Sequence, residues 1–101
     1  LAVIELVNSP RVRLLYDLYH SVTEGEDPAV MLPKVAALLE HVQVADAPGR
    51  GEPGSGSIDW PAQIATLKEI GYTGVIGIEC VPTRTPTADA LAEFRALCAA
   101  A

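Results

Sequence analysis

The chain has 101 residues, half of them apolar and 20% charged, with a formal charge of −6, a balance that belongs to a folded, mildly acidic globular segment. Its seven lysines and arginines are scattered as Arg11, Arg13, Lys34, Arg50, Lys68, Arg84 and Arg95, so there is no basic stripe to follow a nucleic-acid backbone. No apolar run approaches the roughly 18 residues that a membrane span requires, and Cys80 and Cys98, outside any Cys-x-x-Cys spacing, read as a reduced pair in a cytoplasmic protein.

Leu1, Val3, Ile4, Leu6 and Val7 form the apolar side of a helix that Asn8-Ser9-Pro10 closes. Opening on Leu rather than Met, it reads as the last turns of a helix from a longer polypeptide. A strand runs from Val12 to Tyr16 and ends in Asp17, with His20 at the mouth of a polar loop, SVTEGED. Asp27-Pro28 supplies a cap and a first-turn proline, although Pro33 predicts that the regular part of this helix begins nearer Leu32, burying Val35, Leu38 and Leu39. Val42 to Ala45 is the next strand, and GRGEPGSGS predicts a long flexible loop. Asp59 caps a helix opened by Trp60 and Pro61, with Ile64, Leu67 and Ile70 on one face and Gly71 as its stop. Gly74 to Glu79 reads as a third strand of buried type, and Thr85-Pro86 starts a last helix that buries Leu91, Phe94 and Leu97.

Strands alternating with helices predict an α/β fold with a parallel sheet, spanning residues 1–101 as one segment of a single domain. Asp17, Gln43 and Glu79 each stand at or near the C-terminal end of a strand, the place where such folds, and (β/α)8 barrels especially, carry their chemistry. Two carboxylates and an amide carbonyl at matching heights on neighbouring strands are oxygen ligands, suited to Mg²⁺ or Mn²⁺ rather than to structural zinc. Read singly, Asp17 can also be a strand end that caps the next turn of chain, and Gln43 a half-buried strand residue. His20 can donate to a substrate oxygen or be a solvated loop residue; Arg50 can grip a carboxylate in bidentate fashion or be a surface residue. Glu52 pairs with Arg50 or is solvated, Tyr16 and Tyr19 flank Asp17 at the pocket, Trp60 packs under the loop, and His41 is structural. Cys80 has no matching base, and its neighbour Glu79 disfavours a thiolate.

YDLYH at 16–20, HVQVADAPGRGEP at 41–53, SIDWP at 57–61, LKEIGYTGVIGIE at 67–79 and TPTADAL at 85–91 resemble the C-terminal part of the hydroxypyruvate isomerase family, within the xylose isomerase-like barrels. The resemblance implies strands six to eight of a (β/α)8 TIM barrel, incomplete as given, with the N-terminal barrel half required as a partner. It implies a divalent metal, Mg or Mn, held by Asp17, Gln43 and Glu79, with Glu79 also moving the proton and His20 and Arg50 contacting substrate. The family's other catalytic glutamate falls upstream of Leu1. The reaction it implies interconverts hydroxypyruvate, a small 2-keto acid, and tartronate semialdehyde through an enediolate. A related isomerase or epimerase acting on a longer sugar, or a fragment inactive by itself, are the alternatives, and a homo-oligomer is compatible with each. After Glu79 the chain departs from the family's usual aromatic and basic residues with Cys80-Val81-Pro82-Thr83.

Overall fold

The computed structural model describes residues 2–83 and 87–100. Leu1, Arg84 and the start expected for the last helix at Thr85-Pro86 lie outside the described residues. The elements in chain order are α1 (Ala2–Val7), β1 (Leu14–Asp17), α2 (Leu18–Thr23), α3 (Pro28–Val35), a 3₁₀ turn (Ala36–Leu38), β2 (Leu39–Val44), α4 (Trp60–Glu69), β3 (Ile76–Ile78) and α5 (Thr87–Ala100). The strands form one parallel sheet in the order β1-β2-β3.

Strand parity divides this sheet into two faces. Tyr16, Val42 and Val44 point to one side and pack with Leu18, Leu32, Val35, Trp60, Ile64, Leu67 and Phe94 from the helices, forming the buried core. Asp17, Gln43 and Gly77 are register partners and lie on the opposite face. Between Leu14 and Leu15 the register slips, since Leu14 pairs with Leu39 but Leu15 pairs with His41. Glu40 is therefore the extra residue of a bulge, and Leu39 reaches the core from a position where simple alternation with His41 would turn it away.

Several expectations need correction. SVTEGED is not a loop throughout: Leu18–Thr23 is helical, because the Asp17 side chain accepts the backbone N–H of His20 as a cap and Leu18 and Ser21 turn inward. His20 thus sits in the first helical turn. Pro33 does not delay α3, which begins at Pro28 behind the Asp27 cap. Pro33 and Ala29, whose carbonyl loses its helical partner at Pro33, both lie on the exposed side, and the helix tightens into the 3₁₀ turn soon afterwards. Leu39 belongs to β2 rather than to that helix, and β3 is only Ile76–Ile78.

Helix α4 obeys its local signals. The Asp59 carboxylate accepts the N–H of Ala62 at 3.2 Å. At the other end Gly71 adopts φ +78°, while its own N–H bonds the Lys68 carbonyl and that of Tyr72 bonds the Leu67 carbonyl, each at 3.0 Å. In α5 the buried positions are Ala90 and Phe94, with Leu97 half-buried; Leu91 is 44% exposed and leaves the expected set. Phe94 meets Trp60 edge to face at 5.7 Å, so Trp60 is a packing residue.

Candidate functional site at the C-terminal ends of the strands

Asp17 and Gln43 stand side by side in register at the end of the sheet, on the face turned away from the core. Glu79 is not level with them. Gln43 pairs with Gly77, so Glu79 lies two residues further along the same face, about 6.6 Å higher at strand rise, and its N–H bonds the Val44 carbonyl at 3.1 Å. The three oxygen donors form a step rather than a row. Gly77 makes room for the His41 ring, because a Cβ there would approach His41 Nε2 to 3.0 Å. His41 shares this face one layer deeper, opposite Leu15.

Asp17 meets His20 through both carboxylate oxygens. Oδ1 accepts the His20 N–H at 3.1 Å, while Oδ2 lies 3.8 Å from His20 Nε2. Tyr19 then stands edge to face with His20 at 5.2 Å and carries the Arg50 guanidinium over its ring, also at 5.2 Å. Arg50 Nη2 is 3.6 Å from Glu79 Oε1. Asp17, His20, Tyr19, Arg50 and Glu79 thus form a continuous arc around the open face. Tyr16 is outside it: its ring is buried in the core and its hydroxyl donates to Ser21 Oγ, with burial as the main cause of a raised phenol pKa.

Two residues that build this site are not evident from the sequence. Asp46 is fully buried at the end of β2 and accepts hydrogen bonds from the N–H groups of Ala47 at 2.8 Å, Gly54 at 2.7 Å and Ile58 at 3.1 Å and from Trp60 Nε1 at 2.9 Å. Burial alone would raise its pKa, but these donors outweigh burial and hold the carboxyl below its ordinary range. Glu52 is 1% exposed, so it is not solvated: it accepts the Thr83 N–H at 2.7 Å and the Thr83 hydroxyl. The glycine-rich segment is therefore a hydrogen-bonded loop laced through two buried carboxylates, not an open flexible strap. The faint signal was an aspartate and a glutamate set among Ala, Pro and Gly, where few side chains compete for nearby backbone donors. Arg50 takes φ +58° within this loop. Cys80 and Cys98 are free, and burial first, then the Glu52 charge rather than Glu79, pushes the Cys80 thiol up.

Among the described residues no three His, Cys, Asp or Glu side chains are gathered to hold a metal ion. Asp17, Gln43 and Glu79 differ from such a cluster in having an amide as one donor. Their all-oxygen chemistry on one face of adjacent strands fits a hard divalent cation. No described helix is long and apolar enough to cross a membrane.

A parallel sheet with helices over one face and acidic, amide and guanidinium groups at its strand ends defines a portion of a β/α barrel with an enzyme-type mouth. The chain belongs to the xylose isomerase-like TIM barrel family, whose model matches residues 1–98. It is similar to a provisionally named hydroxypyruvate isomerase of Streptomyces coelicolor, 39% identical over 87% of this chain and 33% of the relative. The hydroxypyruvate isomerase of Escherichia coli is 31% identical over 87% of this chain and 34% of the relative. A 2-oxo-tetronate isomerase of Haemophilus influenzae is 37% identical over 81% of this chain and 32% of the relative. Among solved structures, one titled AP endonuclease, family 2, from Brucella melitensis superposes with TM-score 0.86 at 33% identity, over 94% of this chain and 36% of that one. The 3-keto-D-glucoside 4-epimerase of Escherichia coli superposes with TM-score 0.74 at 32% identity, over 83% and 33%. The chain spans about a third of the length of these curated relatives.

Proposed function

We propose that this chain forms part of the active site of a cytoplasmic isomerase that interconverts hydroxypyruvate and tartronate semialdehyde. The observation that carries the reading is the Arg50 guanidinium held 3.6 Å from the Glu79 carboxylate at the strand ends, which sets a carboxylate-binding cation beside a group able to move a proton. Names of relatives agree with the chemistry, since hydroxypyruvate isomerase and 2-oxo-tetronate isomerase both denote isomerases of small oxo compounds.

In this reading the substrate carboxylate takes Arg50 away from Glu79 and pairs with its guanidinium. Glu79, released from the Arg50 guanidinium, removes a proton from the carbon next to the carbonyl, and an enediolate results. A proton returned to the neighbouring carbon, while the hydroxyl proton passes to the former carbonyl oxygen, completes the isomerisation, with a second carboxyl group supplied by the remaining barrel segment. His20, exposed above Asp17, donates to the substrate oxygen on which charge grows. Asp17, Gln43 and Glu79 would hold Mg²⁺ or Mn²⁺, which as a Lewis acid supplies stabilisation of that charge when bound. The polypeptide of residues 1–101 alone is inactive in this reading, and the N-terminal barrel half is its required partner.

The test is hydroxypyruvate turnover by the complete polypeptide, with and without Mg²⁺ or Mn²⁺. Glu79→Gln should lower kcat roughly 1,000-fold, and Arg50→Ala should raise KM roughly 10- to 100-fold with a smaller change in kcat. The similarity to a 3-keto-D-glucoside 4-epimerase favours a second reading, a keto-sugar isomerase or epimerase. Turnover of a neutral sugar indifferent to Arg50→Ala would establish that reading in place of the first. Nucleic acid is not the proposed partner, because the described cations are dispersed and the chain is acidic.

A further inference from the structure

Beyond β3 the N–H groups of Glu79, Val81 and Thr83 turn toward the end of β2 and the loop that follows it. Glu79 N–H bonds the Val44 carbonyl at 3.1 Å and Val81 N–H bonds the Arg50 carbonyl at 2.8 Å. The next in the series, Thr83 N–H, finds no carbonyl but the Glu52 carboxylate, at 2.7 Å. The other Glu52 oxygen takes the Thr83 hydroxyl. A side chain thus supplies the last rung of a ladder whose other rungs are backbone, and it is 1% exposed. The middle rung belongs to Arg50 itself. The Arg50-bearing loop and the Glu79-bearing segment are consequently one hydrogen-bonded unit, tied at residue 50 and on either side of it along the chain.

We propose that Glu52 is a positioning residue that fixes the Arg50 guanidinium against the Glu79 carboxylate by clasping the loop after β2 to residue 83; its effect on turnover rests on the isomerase reading above. The clasp acts where restraint is needed. Arg50 holds a left-handed backbone, φ +58°, that a non-glycine residue keeps only when its surroundings enforce it. Gly51 leaves room for the contact, because a Cβ there would come within 2.3 Å of Ser55 Oγ and 3.1 Å of the Thr83 methyl. Released from Thr83, the loop keeps its anchor at Asp46 and the Val81 bond at the Arg50 carbonyl but loses the tie that holds it on the far side of Arg50.

The experiment uses the complete polypeptide carrying Glu52→Gln, Arg50→Ala and both together, with Thr83→Val, which removes the hydroxyl half of the clasp and keeps the N–H half, as a second variant if Glu52→Gln does not fold. Two readouts are taken. Kinetics with hydroxypyruvate should show KM raised roughly tenfold by Glu52→Gln or Thr83→Val with kcat within about twofold, and no further rise when Arg50→Ala is already present. The Arg50 Nε–H resonance, tracked while pyruvate is added as a carboxylate probe, should be dispersed in the parent and collapse toward that of a free guanidinium in the variants. An undiminished Glu52→Gln effect in the Arg50→Ala background overturns the proposal, as does an Arg50 resonance that both variants leave in place. If the parent does not turn over hydroxypyruvate, the resonance alone decides the positioning role, and the isomerase reading fails separately.

Discussion

Asp46 gathers three backbone donors and an indole N–H around one buried carboxylate, and its charge is held by the loop that it organises. Because its folded-state pKa is depressed, its contribution to stability is complete above the ordinary carboxylate range and is lost as pH falls through the folded value. Urea unfolding midpoints should drop on acidification below about pH 4. Asp46→Asn, which turns amide hydrogens toward existing donors, should cost about 3 kcal/mol at neutral pH and flatten that acid limb. Cys80 offers a second titration: its alkylation by iodoacetamide should rise only above the ordinary thiol range, and Glu52→Gln should move that rise downward by removing the nearby charge. Asp17, Gln43 and Glu79 were legible as strand-end residues because strand ends can be recognised from local apolar runs. Asp46 and Glu52 were not, because most of their partners are backbone N–H groups, which leave no mark in a sequence.

At the scale of elements, the legible part was the local part. The Asp59 cap and the Gly71 stop of α4 are decided within a turn of chain, and both form. A Cβ on Gly71 would meet nothing within 4 Å, so Gly71→Ala is penalised by conformation alone. The expected cost is about 1 kcal/mol, visible as a lowered Tm without any new steric contact. Helix α2 was missed because its stabilisation is tertiary: Leu18 is fully buried against the core, and Ser21 is reached by Tyr16 from the preceding strand. Leu91 was misplaced because an Ala at position 90 fills the close approach to the core and rotates the helix face away from the larger residue.

For the molecule as a whole, two surfaces are unlike an ordinary exterior. Val3, Leu6 and Val7 of α1 are 70%, 85% and 51% exposed, and Leu15 on the site face of the sheet is 50% exposed. Among the described residues β1 and β3 each pair with β2 alone, leaving their outer edges without a partner strand. A polypeptide of residues 1–101 by itself should therefore self-associate, and co-expression with the complementary barrel strands should yield a soluble one-to-one complex; size-exclusion chromatography with light scattering distinguishes these. The bulge at Glu40 carries a last consequence, best put as one of reading frame. Leu39 and the run His41–Val44 are both in phase with the core only because one unpaired residue is skipped between them. Deleting Glu40 removes the skipped residue and a partly exposed ion pair with Arg13, 3.6 Å long, yet leaves every other residue of the strand in phase. Deleting Val42 instead moves His41 into the core position opposite Tyr16 whether or not a residue is still skipped, so that a chain one residue shorter can keep its fold or lose it according to which residue is removed.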